Sequence, residues 1–244
     1  LVKYGLYEKV VDKNIRNKIR NENHSKIRIV DKSEMPKVIS TAYEKLIYES
    51  ILSLKTDGER MEFIDQINRS IGLEGFDIEK EKCKELLLVH NDEDKFKELN
   101  QFRPRTSIAN SSLFTGNSDL TLESELRREI RTADEIDFLI SFIKYSGLRL
   151  IYDDLVEFTK KNKLRVITTS YMGASDYKAI LELSKLPNTE VKISYDTKRT
   201  RLHAKAYHFK RDTGFSTAYI GSSNLSNPAL SNGLEWNLKV SEYT

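Results

Sequence analysis

Leu202-His203-Ala204-Lys205-Ala206-Tyr207-His208-Phe209, followed after a turn by Ala218-Tyr219-Ile220-Gly221-Ser222-Ser223-Asn224, is the stretch that decides how this chain is read. A strand repeats its side chains with a period of two. That puts His203, Lys205 and Tyr207 on one face, with the small Ala204 and Ala206 on the other. An imidazole therefore stands beside an ammonium. The turn Gly221-Ser222-Ser223-Asn224 adds a hydroxyl, an amide and backbone N–H groups, all suited to the oxygen atoms of a phosphate. Eleven residues past Asn224, Glu235 is placed to bond the second imidazole nitrogen and fix its tautomer. His208 falls on the opposite face of the strand, which argues against a metal shared with His203.

In this order His203, Lys205, Gly221, Ser222 and Asn224 resemble the H-x-K-x4-D-x6-G-S-x-N signature of the phospholipase D superfamily, and Glu235 matches the downstream acid of its nuclease branch. The chain departs from the pattern twice. Its Lys-to-Gly interval is four residues longer, and Lys210 stands where the family has Asp. Asp212-Thr213-Gly214 reads as the turn of a hairpin. The missing Asp weakens a phospholipase assignment more than a nuclease one.

The resemblance covers residues 110–244 and implies a metal-independent phosphodiesterase without cofactor. His203 would attack phosphorus and form a covalent phosphohistidine. Lys205 and Asn224, helped by Ser222, would hold the non-bridging oxygens, and Glu235 would orient His203. A second histidine is needed as acid and then as base, yet the chain carries a single signature, so the resemblance implies a homodimer. Thr217–Ser226 and Gly233–Asn237 look like the nuclease-like domain preceding DEAD/DEAH-type helicase motors in some bacterial proteins. That implies a DNA substrate and a helicase motor in the same full-length chain, although these residues hold no helicase motif. Two rival readings stand beside it: a non-catalytic nucleic-acid-binding module of the same fold, and a phospholipase, which would need an apolar approach to the site.

The bulk numbers set limits on these readings. The 244 residues are 32% charged and 39% hydrophobic, as expected of a folded chain, and a net charge of +3 confines any basic surface to a local patch. A single cysteine, Cys83, allows no internal disulfide, and no Cys or His pair has zinc-ligand spacing, which fits a reducing, cytoplasmic setting. No apolar run reaches the length of a membrane span. The start at Leu1 suggests a domain cut from a longer protein.

Two regions are expected. Residues 1–100 read as all-helical: a helix over 4–20 carrying Leu6, Val10, Val11, Ile15 and Ile19; a second, capped by Ser33, carrying Val38, Ala42, Leu46, Ile47 and Ile51; a third with Met61, Phe63, Ile64, Ile67 and Ile71, closed by Gly72 and Gly75; a fourth with Ile78, Cys83, Leu86 and Leu87. Gln101–Ser107 reads as a connector. Residues 110–244 alternate helix and strand, with strands at 136–141, 164–169, 191–195, the two signature segments and 234–240. The alternation predicts an α/β fold with a mostly parallel mixed sheet covered on both faces by helices. Lys144 and Tyr171 follow strand ends, where such sheets place ligands, and are candidates for phosphate contact and base stacking. Lys198, Arg199 and Arg201 lead into His203 and would attract a polyanion. Phe209 and Trp236 read as packing residues.

Overall fold

A computed structural model describes residues 10–19, 25–73, 84–115, 120–196, 198–199 and 201–243. The chain divides into two units, Leu1–Leu86 and Leu87–Thr244.

The first unit holds helices α1 (Lys13–Ile19), α2 (Met35–Ser53) and α3 (Asp57–Ile71). The N-terminus of α3 is a capping box: Thr56 accepts from the Glu59 N–H, and the Glu59 carboxylate accepts from the Thr56 N–H. Gly72 closes α3 as expected. The cap of α2 is Glu34, while Ser33 bonds the Asp31 carboxylate in the preceding turn. The expected fourth helix is corrected in part. Ile78, Cys83 and Gly75 lie outside the described residues, as does Leu6, whereas Leu86 and Leu87 are exposed and non-helical.

The second unit opens with α4 (Glu93–Gln101), which the sequence reading missed, its N-terminus capped by Asp92. There follow β1 (Ser112–Phe114), α5 (Leu122–Thr132), β2 (Glu135–Ile140), α6 (Tyr145–Thr159), β3 (Lys163–Thr169), α7 (Tyr177–Ser184), β4 (Thr189–Ser194), β5 (Lys205–Lys210), β6 (Thr217–Gly221), α8 (Asn227–Leu230) and β7 (Asn237–Ser241). They form one mixed sheet of seven strands in the order β1-β7-β6-β5-β2-β3-β4.

The expected majority of parallel pairs is a correction. Only β2–β3 and β3–β4 run parallel, while β2–β5, β5–β6, β6–β7 and β7–β1 are antiparallel. The helical crossovers α6 and α7 impose parallel pairing. The turn at Asp212–Gly214, closed by a Gly214 N–H to Arg211 carbonyl bond of 3.1 Å, reverses the chain directly into an antiparallel neighbour.

Coverage of both faces also fails. On one face Ile136, Phe138, Ile140, Leu164, Val166, Tyr207, Phe209 and Tyr219 are buried in one core with Leu126 and Ile130 of α5 and Leu148, Ile151 and Leu155 of α6. On the other, register aligns Leu113, Leu238, Ile220, Ala206, Leu139 and Ile167 in a single row across the sheet. Four of that row, Leu113, Leu238, Ile220 and Ile167, remain 41–56% exposed. Alternation sorted the side chains between faces correctly, and the helices of this unit cover one of the faces.

A buried ionic cluster ties α5 to the strands that carry the signature. Glu129 Oε2 accepts from Arg211 Nη2 at 2.5 Å and Thr217 Oγ1 at 2.9 Å, and its Oε1 accepts from Tyr219 OH at 2.9 Å and meets Lys239 Nζ at 2.9 Å. Glu125 accepts from the Thr106 N–H at 2.8 Å and lies 3.8 Å from Lys239 Nζ. Burial alone would push the Glu129 carboxyl up, yet Arg211 and Lys239 hold it below its ordinary value. Charge balances here, two carboxylates against two cations, as full burial requires.

Candidate active site

The end of β2 joins the two halves of the signature. Ser141 donates from both its N–H (2.8 Å) and its hydroxyl (2.9 Å) to the Ala204 carbonyl, fixing the segment between His203 and Lys205. The next residue, Phe142, donates its N–H to Asn224 Oδ1 at 3.2 Å, and its carbonyl accepts from the Leu225 N–H at 3.2 Å. The Lys144 N–H then bonds the Leu225 carbonyl at 2.8 Å. The strand end at 141–144 thus converges on the signature.

His203 lies two residues ahead of β5 in an exposed loop, with its ring against Phe142 in an edge arrangement at 6.0 Å between centroids. Lys205 is the first residue of β5 and only 8% exposed. Its Nζ stands 3.2 Å from His203 Nδ1 and 3.1 Å from Nε2, and donates to the His203 carbonyl at 3.2 Å. These near-equal distances place the ammonium against the ring as a whole. Burial pushes the Lys205 ammonium below the ordinary lysine value, and Glu235 opposes that shift.

Gly221, Ser222 and Asn224 complete an open cleft of ≈ 510 Å³ lined by these three with His203, Lys205 and Trp236. Gly221 is required by the approach of another backbone: a Cβ there would lie 2.2 Å from the Trp236 carbonyl oxygen. The Ser222 N–H donates to that oxygen at 3.0 Å, and the Trp236 N–H donates to Ser222 Oγ at 3.0 Å. Asn224 spends its amide oxygen on Phe142, which leaves its NH₂ as the end able to meet a substrate oxygen. Behind the turn, the buried Tyr207 hydroxyl donates to the Ser223 carbonyl at 3.1 Å. Burial, with Glu235 adding to it, drives the Tyr207 phenol far above its ordinary value, so it stays neutral.

Glu235 is placed differently from expectation. It precedes β7 in a half-buried loop and acts electrostatically on Lys205, and no hydrogen bond joins it to His203, whose ring nitrogens meet Lys205 instead. None of Lys144, Tyr171, Lys198, Arg199 and Arg201 lines the cleft. Lys144 pairs with Asp176 at 3.1 Å, and Arg201 lies over the Tyr171 ring at 5.4 Å. Lys198 and Arg199 are exposed, their N–H groups turned onto Asp196 Oδ1 at 3.3 and 2.9 Å. His208 faces away, 3.4 Å from Asp137. Phe209 is core as expected. Trp236 is corrected: the residue stands one position before β7 and is 64% exposed at the cleft, it and the exposed Leu238 flanking the buried Asn237. Among the described residues, no group of three or more His, Cys, Asp or Glu could hold a metal ion, and no helix is long and apolar enough to cross a membrane.

Residues 126–243 match the family described as "Cardiolipin synthase, PLD-like domain". No curated protein matches the chain. Among solved structures, NucT from Helicobacter pylori is 22% identical over 55% of this chain and 86% of its own, with a TM-score of 0.42. Nuc from Salmonella typhimurium, a phospholipase D family member, is 18% identical over 54% and 83%, with a TM-score of 0.39. Yeast tyrosyl-DNA phosphodiesterase is 14% identical over 53% of this chain and 31% of its own, with a TM-score of 0.38.

Proposed function

We propose that the chain, whose residues 126–243 match a PLD-like domain family, is a metal-independent phosphodiesterase module that cleaves DNA through a phosphohistidine. The observation that carries this reading is the Lys205 ammonium held within 3.1–3.2 Å of both nitrogens of an exposed His203, in a cleft completed by Ser222 and Asn224. A phosphodiester resists attack because its negative charge repels nucleophiles and its leaving alkoxide is poor. Lys205 neutralises the non-bridging oxygens as charge builds on them, and the Asn224 amide and Ser222 hydroxyl donate hydrogen bonds to them. A neutral His203 nitrogen then bonds phosphorus while the bridging P–O bond breaks.

The leaving oxygen takes a proton from a second imidazole, and that imidazole then accepts a proton from the water that cleaves the N–P bond. The second imidazole comes from another copy of this chain, with two His203 rings meeting across a two-fold axis. Glu235 serves by keeping the buried Lys205 charged. Lys144, Tyr171, Lys198, Arg199 and Arg201 stand outside the cleft as contacts for the flanking strand. A helicase motor in the same full-length chain belongs to this proposal as the device that would deliver the strand.

The test is cleavage of single- and double-stranded DNA in EDTA by the wild type and His203→Ala. Cleavage by the wild type alone supports the proposal. Nucleic-acid binding without cleavage by either would replace it with the binding-module reading. Leu234 and Trp236, both exposed beside Glu235, favour a second reading in which the phosphodiester belongs to a lipid, and hydrolysis of phospholipid vesicles would select it.

A further inference from the structure

We propose that Trp236 is a base-stacking platform that makes this cleft select single-stranded nucleic acid; the inference rests on the nuclease reading above. Trp236 is the only tryptophan of the chain. A tryptophan residue 64% exposed at a cleft that holds His203 and Lys205 is a large apolar surface beside the place the nuclease reading gives to the phosphate. Among the described residues no aromatic ring or cation occupies it, whereas Tyr171 is covered by Arg201.

Its position is set by the same turn that holds the phosphate. Ser222 bonds both the carbonyl and the N–H of Trp236, each at 3.0 Å, and Gly221 admits that backbone within a distance no Cβ would allow. The Trp236 main chain therefore keeps a fixed offset from Ser222, and the indole is carried within reach of the cleft that Ser222 and Asn224 line. Ordering it on binding costs little, since its main chain is already clamped. A base attached to the bound phosphate's sugar is the group at that offset. In a duplex that base is paired and stacked on both faces, so only an unstacked base can meet the indole. Leu234, Ile220 and Leu238 are exposed as well, so a protein contact is the competing use of this surface.

The experiment uses the whole chain carrying His203→Ala, so that nothing is cut. It is titrated with a labelled single-stranded oligonucleotide, the same sequence as a blunt duplex, and a single strand containing a run of abasic sites. Tryptophan emission and label anisotropy are read together. Emission should be quenched by the first ligand alone. Adding Trp236→Ala should weaken single-strand binding roughly 5- to 150-fold, the range of one stacked base, with duplex and abasic binding unchanged, and Trp236→Phe should recover most of the loss.

Binding by anisotropy without any change in emission would overturn the inference and leave the cleavage reading standing. So would an equal loss for all three ligands. An emission shift that follows protein concentration without DNA, with a matching rise in sedimentation, would assign Trp236 to a protein interface. Failure to bind any of the three would overturn the inference together with the nucleic-acid reading.

Discussion

Replacing Glu129 by glutamine removes one charge from the cluster of Glu125, Glu129, Arg211 and Lys239 and leaves one cation in excess in the core. Glu129 and Lys239 are both fully buried, and Arg211 nearly so, so water cannot make up the difference. Four donors converge on the two Glu129 oxygens: Arg211, Thr217, Tyr219 and Lys239. An amide offers one acceptor oxygen and turns an NH₂ toward groups that are themselves donors. Breaking a buried pair from one side costs about 3–5 kcal/mol, which at this chain length lowers the melting temperature on the order of 10 °C. Urea unfolding of Glu129→Gln beside the wild type measures it.

The pH dependence carries the same sign. The folded Glu129 carboxyl lies below its unfolded value, so its contribution is complete above the ordinary glutamate range of about 4.3 and is lost as pH falls through the folded value. The gap between variant and wild type should therefore close in acid. A loss under about 1 kcal/mol at neutral pH, or a gap that widens in acid, would refute the cluster's assigned role.

Three further outcomes are expected. Gly221→Ala forces its Cβ to within 2.2 Å of the Trp236 carbonyl; it should cost about 1–3 kcal/mol by thermal unfolding and abolish cleavage by displacing Ser222. Lys205→Met should raise the melting temperature at neutral pH while cleavage is lost. Burial lowers this lysine's folded value below its unfolded one, so the charged form is disfavoured by folding, and the gain should shrink as pH rises toward the unfolded value of about 10.4. Tyr207→Phe leaves the Ser223 carbonyl without its partner; it should cost about 1–3 kcal/mol in urea and slow cleavage by loosening the turn that carries Asn224.

Much of the second unit was legible because its pattern is strong. Leu122, Leu126 and Ile130 recur at helical spacing and are buried, and Ile136, Phe138 and Ile140 alternate as a strand with one covered face. The signature residues also came together, since β5 and β6 are consecutive and joined by the turn the sequence predicts. Helix α4 was missed because EDKFKELNQ offers only Phe96 and Leu99 as an apolar stripe, and β1 because three residues give no period. Strand direction was misjudged because pairing between β2 and β5 is decided by packing 60 and more residues apart, which no local pattern encodes. Glu125 and Glu129, four apart on an amphipathic helix, look like an exposed acidic face; only Arg211, from the turn after β5, and Lys239 of β7 arrive to pair with them in the core. Residue type alone points Trp236 to the core, a signal that says nothing about which face of a half-open sheet it joins.

The most direct measurement is covalent trapping. A 5′-labelled oligonucleotide mixed with the chain in EDTA, quenched within the first turnover in alkaline denaturant to preserve a phosphoramidate, should yield a protein–DNA adduct whose mass and peptide map locate it on His203. Absence of an adduct at every quench time, together with undiminished cleavage by His203→Ala, would contradict the account.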